Sequence, residues 1–120
     1  MSTVSGSHIS DVDALGAQLD VVGPKTNATA GDPVESMLVL HDDDRVQVGI
    51  WECTPGSFPS QRDGISEVMC FVSGDATVTD SDGTRHDVRA GAVMHVPDGW
   101  RGSWEIRTTV RKTYTIIRSA

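Results

Sequence analysis

From Ser36 to the C-terminus, apolar residues come in short runs with polar residues at alternate positions, and Gly, Pro and Asp separate the runs. The runs are Met37–Leu40, Arg45–Cys53, Glu67–Gly74, Asp75–Asp80, Ala90–Pro97, Gly102–Ile106 and Val110–Ile117, with further alternation through Thr84, His86 and Val88. This pattern predicts about eight short strands and no long helix. Asp42-Asp43-Asp44 reads as an acidic turn and Asp82-Gly83 as a hairpin turn, while Thr54-Pro55-Gly56 breaks a strand and opens a loop. A parallel βαβ sheet needs helical crossovers, which this pattern lacks. The expectation is an all-β sandwich or barrel.

Residues 1–33 have a different texture, rich in Ser, Thr, Ala, Gly and Asp. Ser10 to Leu19 carries one helical pattern: Ser10 stands at a capping position, and Val12, Leu15 and Leu19 share a face. Gly23-Pro24 and Gly31-Asp32-Pro33 then break any helix. The division is therefore an N-terminal arm or short helix at 1–33 and a barrel at 34–120. The arm packs outside the barrel or crosses to a neighbouring copy, with a disordered tail as the competing reading.

Composition narrows the function. A chain of 120 residues builds one core. No apolar run approaches the roughly 20 residues of a membrane span. The N-terminus lacks a basic then apolar leader, which points to the cytoplasm and leaves the sequon at Asn27 without meaning. Seventeen acidic and ten basic residues give a net charge of −7, which argues against nucleic acid and anionic membranes as partners. Cys53 and Cys70 match no metal or redox spacing and read as free thiols.

Two segments resemble the paired motifs of the cupin superfamily. Gly56 opens the first, and Glu67 followed by six residues and Gly74 closes it; Gly91, Pro97 and Gly99 carry the spacing of the second. The strings GIWECTPGSF, SEVMCFVSG, DGWRGSWEI and VRKTYTII are similar to small single-domain, RmlC-like cupins grouped with (S)-ureidoglycine aminohydrolase and the ethanolamine-utilisation cupins. The resemblance covers about residues 37–118 and implies a double-stranded β-helix, the cupin jelly-roll barrel. In metal-binding cupins, two His and a Glu of the first motif and a His of the second hold a divalent ion.

This chain departs from that set. Counting from Gly56 places Arg62 and Gly64 at the two first-motif His positions, while counting back from Glu67 places Gln61 and Asp63 there. Gly102 replaces the second-motif His, and Glu67 alone is retained. If Gln61 and Asp63 face inward, they join Glu67 in an oxygen set suited to Mg or Mn. If Arg62 faces inward, it pairs with Glu67 and takes the ion's place. The missing imidazoles favour a pocket without a cofactor over one holding Mn, Fe or Zn.

Strand alternation puts Met69 on the face of Glu67, and Lys112 with Tyr114 on one face of the last strand, in a KxY pattern that the resembling family shares. Trp104 shares the face of the lost His position, and His95 lies near the site. The expected catalytic residues are Glu67, Lys112 and Tyr114, with Arg62, Trp104, His95 and Met69 binding substrate. Burial of Glu67 among apolar neighbours would raise its pKa and prepare a general acid or base, while an Arg or Lys partner would lower it.

Three functions follow from the reading. The first is an enzyme of hydrolase, isomerase or lyase type, acting by proton transfer on a small carboxylate or C–N compound. The second is a non-catalytic binder using the same pocket, and the third is a barrel filled by its own side chains. Exposed sheet edges predict a homodimer, with Met37–Leu40 near its interface.

Overall fold

The computed structural model describes residues 8–119. Among the described residues, nine strands run in chain order: β1 (Asp20–Pro24), β2 (Ala30–Gly31), β3 (Val34–Asp42), β4 (Val46–Cys53), β5 (Gly56–Gln61), β6 (Ile65–Asp80), β7 (Arg85–Arg89), β8 (Val93–Val96) and β9 (Arg101–Arg118). All pairings are antiparallel. The all-β expectation holds, and the chain folds as a cupin jelly roll.

Two strands build the barrel by belonging to both of its sheets. The C-terminal half of β9 lies between β4 and the N-terminal half of β6, giving the order β1-β3-β4-β9-β6-β8. The N-terminal half of β9 lies between β5 and the C-terminal half of β6, giving β2-β5-β9-β6-β7. Between these halves β6 bulges three times from Phe71 to Ala76. Gly74 makes the bend possible: its φ is +105°, and a Cβ there would lie 2.5 Å from the Thr109 carbonyl oxygen. A reading of polar breaks splits β6 at Gly74 and β9 near Arg107–Thr109; the structure instead bends each strand through a corner.

The segment Gly56–Gln61, read as a loop, is a strand. Its Pro59 is tolerated because β2 pairs only with Gly56 and Ser57, so the other edge of β5 at Pro59 carries no ladder. Trp51, Phe58, Phe71 and Trp104 meet between the sheets, with Trp104 centroids 5.6–6.2 Å from the other three rings. Cys53, Met69, Val88 and Val110 are fully buried around them.

The arm differs from expectation in one element. Ser10–Leu19 forms no helix; a single turn closes with Ala17 N–H donating to Asp13 O at 2.8 Å. The Arg111 guanidinium donates to the carbonyls of Ala14, Leu15 and Ala17, and its Nε to Glu52 at 3.0 Å. These carbonyls are satisfied from the barrel rather than by further helical turns. The rest of the arm adds β1 beside β3 and β2 beside β5, so β3 is paired on both edges from Val34 to Met37 and β1 becomes the sheet edge there.

Candidate functional site

The site grows from the inward face of the first sheet. On β6, Glu67, Met69 and Phe71 point inward; on β9, Lys112 and Tyr114 do; on β4, Trp51 lies opposite Lys112. Register places Phe71 opposite Lys112 and Met69 opposite Tyr114. The Lys112 ammonium reaches back along the strands to Glu67 Oε2 at 2.8 Å and to Met69 Sδ at 3.1 Å. Glu67 is 2% exposed and Lys112 3%.

The alternative registers of residues 60–64 resolve to Arg62 inward. Its N–H donates to Trp100 O and its carbonyl accepts from Gly99 N–H, while Gly64 N–H donates to Asp98. With the backbone pinned this way, the guanidinium donates to Glu67 Oε1 from Nε at 2.8 Å and from Nη2 at 2.6 Å. Its Nη1 donates to Ser60 Oγ and to the Gln61 carbonyl. Gln61 and Asp63 turn to the exterior and are both held by Arg101.

A cavity of about 160 Å3 opens in front of this pair, against the roughly 10–15 Å3 that one water requires. Trp51, Phe58 and Trp104 form its aromatic wall, with Met37 and Ile116 beside them. The Lys112 ammonium lies 4.5 Å from the Trp51 ring and 5.3 Å from that of Trp104, within cation–π range. A second ion pair closes the far side, where Lys25 lies 3.4 Å from Glu35 and 4.4 Å from the Phe58 centroid. Glu35 also accepts from Trp51 Nε1 at 2.8 Å. The cavity wall thus holds three cations and two carboxylates.

Electrostatics assign these groups different states. Burial alone would raise the Glu67 pKa, but the Lys112 and Arg62 charges and their hydrogen bonds outweigh it and hold the carboxyl below its ordinary value. Glu67 is therefore an ionised anchor with both oxygens occupied, and the prepared acid that burial alone would make is not what the geometry provides. For Lys112, burial dominates and lowers the ammonium pKa despite Glu67. Tyr114 is pushed up to about 12, chiefly by burial and next by the Glu67 charge. Its hydroxyl donates to Gln47 Oε1 at 2.8 Å, so the phenol lines the cavity but is tied to β4.

The donor set does not fit the divalent ion that the fold commonly holds. Both Glu67 oxygens bind cationic side chains, and Asp63 and Gln61 lie outside. At Gly102 a Cβ would overlap the Thr79 carbonyl oxygen and the Trp100 ring, so the lost His position has no room for a side chain. Among the described residues, no group of three or more His, Cys, Asp or Glu is placed to hold a metal ion.

His95 is the misplaced member of the expected site. It pairs with Val68 on β8, an outward position in the alternation that buries Glu67 and Met69, and it is exposed beside a separate cavity with His86 and Asp80. Lys25, Glu35, Phe58 and Ser60 were not anticipated. They come from the arm, from the start of β3 and from a strand read as a loop, and no motif marks them. The thiols are free: Cys53 is buried and pushed up to about 11 by desolvation, and Cys70 is exposed. Among the described residues, no helix is long and apolar enough to cross a membrane.

Comparison with known proteins agrees with this architecture. The chain is similar over 88% of its length to a structure of a DUF861-family protein of unknown function from Pseudomonas syringae pv. tomato (25% identity, TM-score 0.77), of which it spans only 46%. A putative ethanolamine utilization protein Q from Salmonella typhimurium matches 82% of this chain and 79% of its own (22% identity, TM-score 0.64), which shows the fold. A DUF861-family protein from Thermotoga maritima matches 54% of this chain and 73% of its own, at 31% identity and TM-score 0.51. No curated protein matches. Residues 40–114 match the EutQ-like cupin domain, more than half of the chain, and the protein belongs to that cupin family.

Proposed function

We propose that the barrel binds a small polar metabolite carrying a carboxylate or a C–N group, and that Lys112 serves it by proton transfer without a metal ion. The observation that carries this reading is a buried ammonium at the wall of an aromatic cavity, anchored on an ionised carboxylate. Burial lowers the cost of removing the Lys112 proton, the direction of shift that suits an amine to acid–base work. Glu67 then acts as a positioning residue: it holds Lys112 and Arg62 in place. Counting charges, Arg62, Lys25 and Lys112 against Glu67 and Glu35 leave one positive charge in excess, which favours an anionic ligand.

Saturation of both Glu67 oxygens favours a second reading, a non-catalytic binder in which Lys112 only recognises the ligand. A thermal-shift screen of small carboxylates, ureides and amino acids tests both. Carboxylates are expected to raise the melting temperature of the wild type, and Lys112→Met to abolish the rise. A ligand present at about 100 times its Kd adds about 2.7 kcal/mol of stability, a readily visible shift. Product formation from a stabilising ligand, lost in Lys112→Met and in Lys112→Arg, distinguishes the enzyme from the binder. No stabilisation by any class would leave a purely structural barrel.

A further inference from the structure

A second cavity, of about 450 Å3, lies against the first and shares Lys25, Ser60 and Arg62 with it. Its remaining walls are Asn27, Pro59 and Gln61. The two carboxylates of the inner cavity, Glu35 and Glu67, do not line it, so it presents two cations and no acid. In a chain of net charge −7, a carboxylate-free cationic recess is a local feature against the overall field.

Hydrogen-bonding capacity is available there. Arg62 has five N–H donors; Glu67, Ser60 and the Gln61 carbonyl engage four. The Lys25 ammonium has one long ion-pair contact, 3.4 Å to Glu35, besides its place over the Phe58 ring. The loop bearing these groups is held in place, since Asn27 Nδ2 donates to Pro59 O and Thr29 N–H to Ser57 O. The cationic recess is thus fixed to the barrel rim by the arm.

We infer that this recess is the outer anchor of a ligand with two anionic groups, a small dicarboxylate or a phosphorylated carboxylate. One group meets the inner cavity at Lys112 and the other lies between Lys25 and Arg62 at the mouth. The inference rests on the proposed ligand site and deepens it: the inner cavity selects an anion, and the mouth selects for a second one. The aromatic wall of Trp51, Phe58 and Trp104 takes the apolar spacer between them.

Calorimetric titration of the whole chain with butyrate, succinate, glutarate and inorganic phosphate tests it. Glutarate or succinate is expected to bind about tenfold or more tightly than butyrate, the scale of one added charge-assisted hydrogen bond. That preference should collapse in Lys25→Met and return in Lys25→Arg. The charge-balanced pair Lys25→Met/Glu35→Gln must lose it too; a loss confined to the single variant would mean that unpaired Glu35 repels the ligand, and the anchor would fall. Butyrate binding with no preference for diacids overturns the outer anchor and leaves the inner site standing. Phosphate binding as tightly as the diacids makes the mouth a free-standing anion site and overturns the two-anchor ligand. If nothing binds, both readings fail together.

Discussion

Buried Glu67 and Lys112 form a triad with the partly exposed Arg62, in which one carboxylate pairs with two cations and one positive charge is left over, and its energetics are asymmetric. Removing the shared carboxylate strands the buried Lys112 ammonium and unpairs the partly exposed Arg62, so Glu67→Gln is expected to cost about 3–5 kcal/mol in urea unfolding. Glu67→Gln/Lys112→Met should recover part of that loss, because one stranded charge is gone; a double variant no more stable than the single would contradict the coupling. The same triad sets a pH dependence. Glu67 titrates below its ordinary 4.5 when folded, so its contribution is present above 4.5 and is lost as pH falls through the lower folded value. The difference in melting temperature between wild type and Glu67→Gln should therefore shrink below pH 4.5. Lys112, also lowered, favours folding as pH rises toward its ordinary 10.5, whereas Tyr114, raised from 10.0 to about 12, contributes stability that is complete below 10 and lost through 12. Gly102 shows a different residue-scale constraint. Gly102→Ala is expected to cost about 1–3 kcal/mol by overpacking against Trp100 and Thr79, measured by the same unfolding. Of these residues, alternation put Lys112 and Tyr114 on one face of their strand, and the cupin resemblance implied that this face and Glu67 turn inward. Whether Glu67 would be raised or lowered in pKa waited on whether Lys112 and Arg62 reach it against the effect of burial; the backbone contacts of Arg62 to Gly99 and Trp100 decide the second of these.

At the scale of elements, the turn at residues 14–17 of the arm is held to the barrel by very few groups. Arg111 supplies three of the contacts that fix residues 14–17 to the barrel. Arg111→Gln is expected to speed hydrogen exchange and proteolysis within residues 8–19 while β3 to β9 keep their protection; unchanged exchange would show that the turn stands without it. The runs Arg45–Cys53 and Ala90–Pro97 were legible as β4 and β8, the second because alternating burial writes period two into Val93–Val96 and the first because β-forming residues are bounded by turn signals. The element Gly56–Gln61 was not, because Gly56, Ser57, Pro59 and Ser60 carry loop chemistry and only the ladder to β9 makes them a strand. The Ser10–Leu19 pattern misled in the opposite direction. Its apolar residues are spaced for a helix, but Leu15 is exposed and nothing buries a helical face there.

The whole molecule leaves an apolar edge in solvent. Strand β1 is the last in its sheet, with Val21 73% and Val22 60% exposed. Strand β1 covers β3 only from Val34 to Met37, so among the described residues the open edge runs along Asp20–Pro24 and continues along β3 from Leu38, beside the expected Met37–Leu40; Met37 also lines the cavity. An open, apolar edge strand invites pairing with a second copy. We expect a homodimer of about twice the chain mass by light scattering, and a monomer when Val21 and Val22 are both replaced by Lys; a wild-type monomer would contradict this. By itself the sequence determined the all-β class, most strand segments from Val34 onward, the turns and the cupin motif glycines, since these follow from local backbone preference and period-two burial. It also determined that imidazole is missing where a metal would be held. The tertiary structure alone decided which of Gln61, Arg62 and Asp63 faces inward, and that Lys25 of the arm closes the cavity. Such contacts join residues far apart in the chain across two sheets, and no local propensity encodes them.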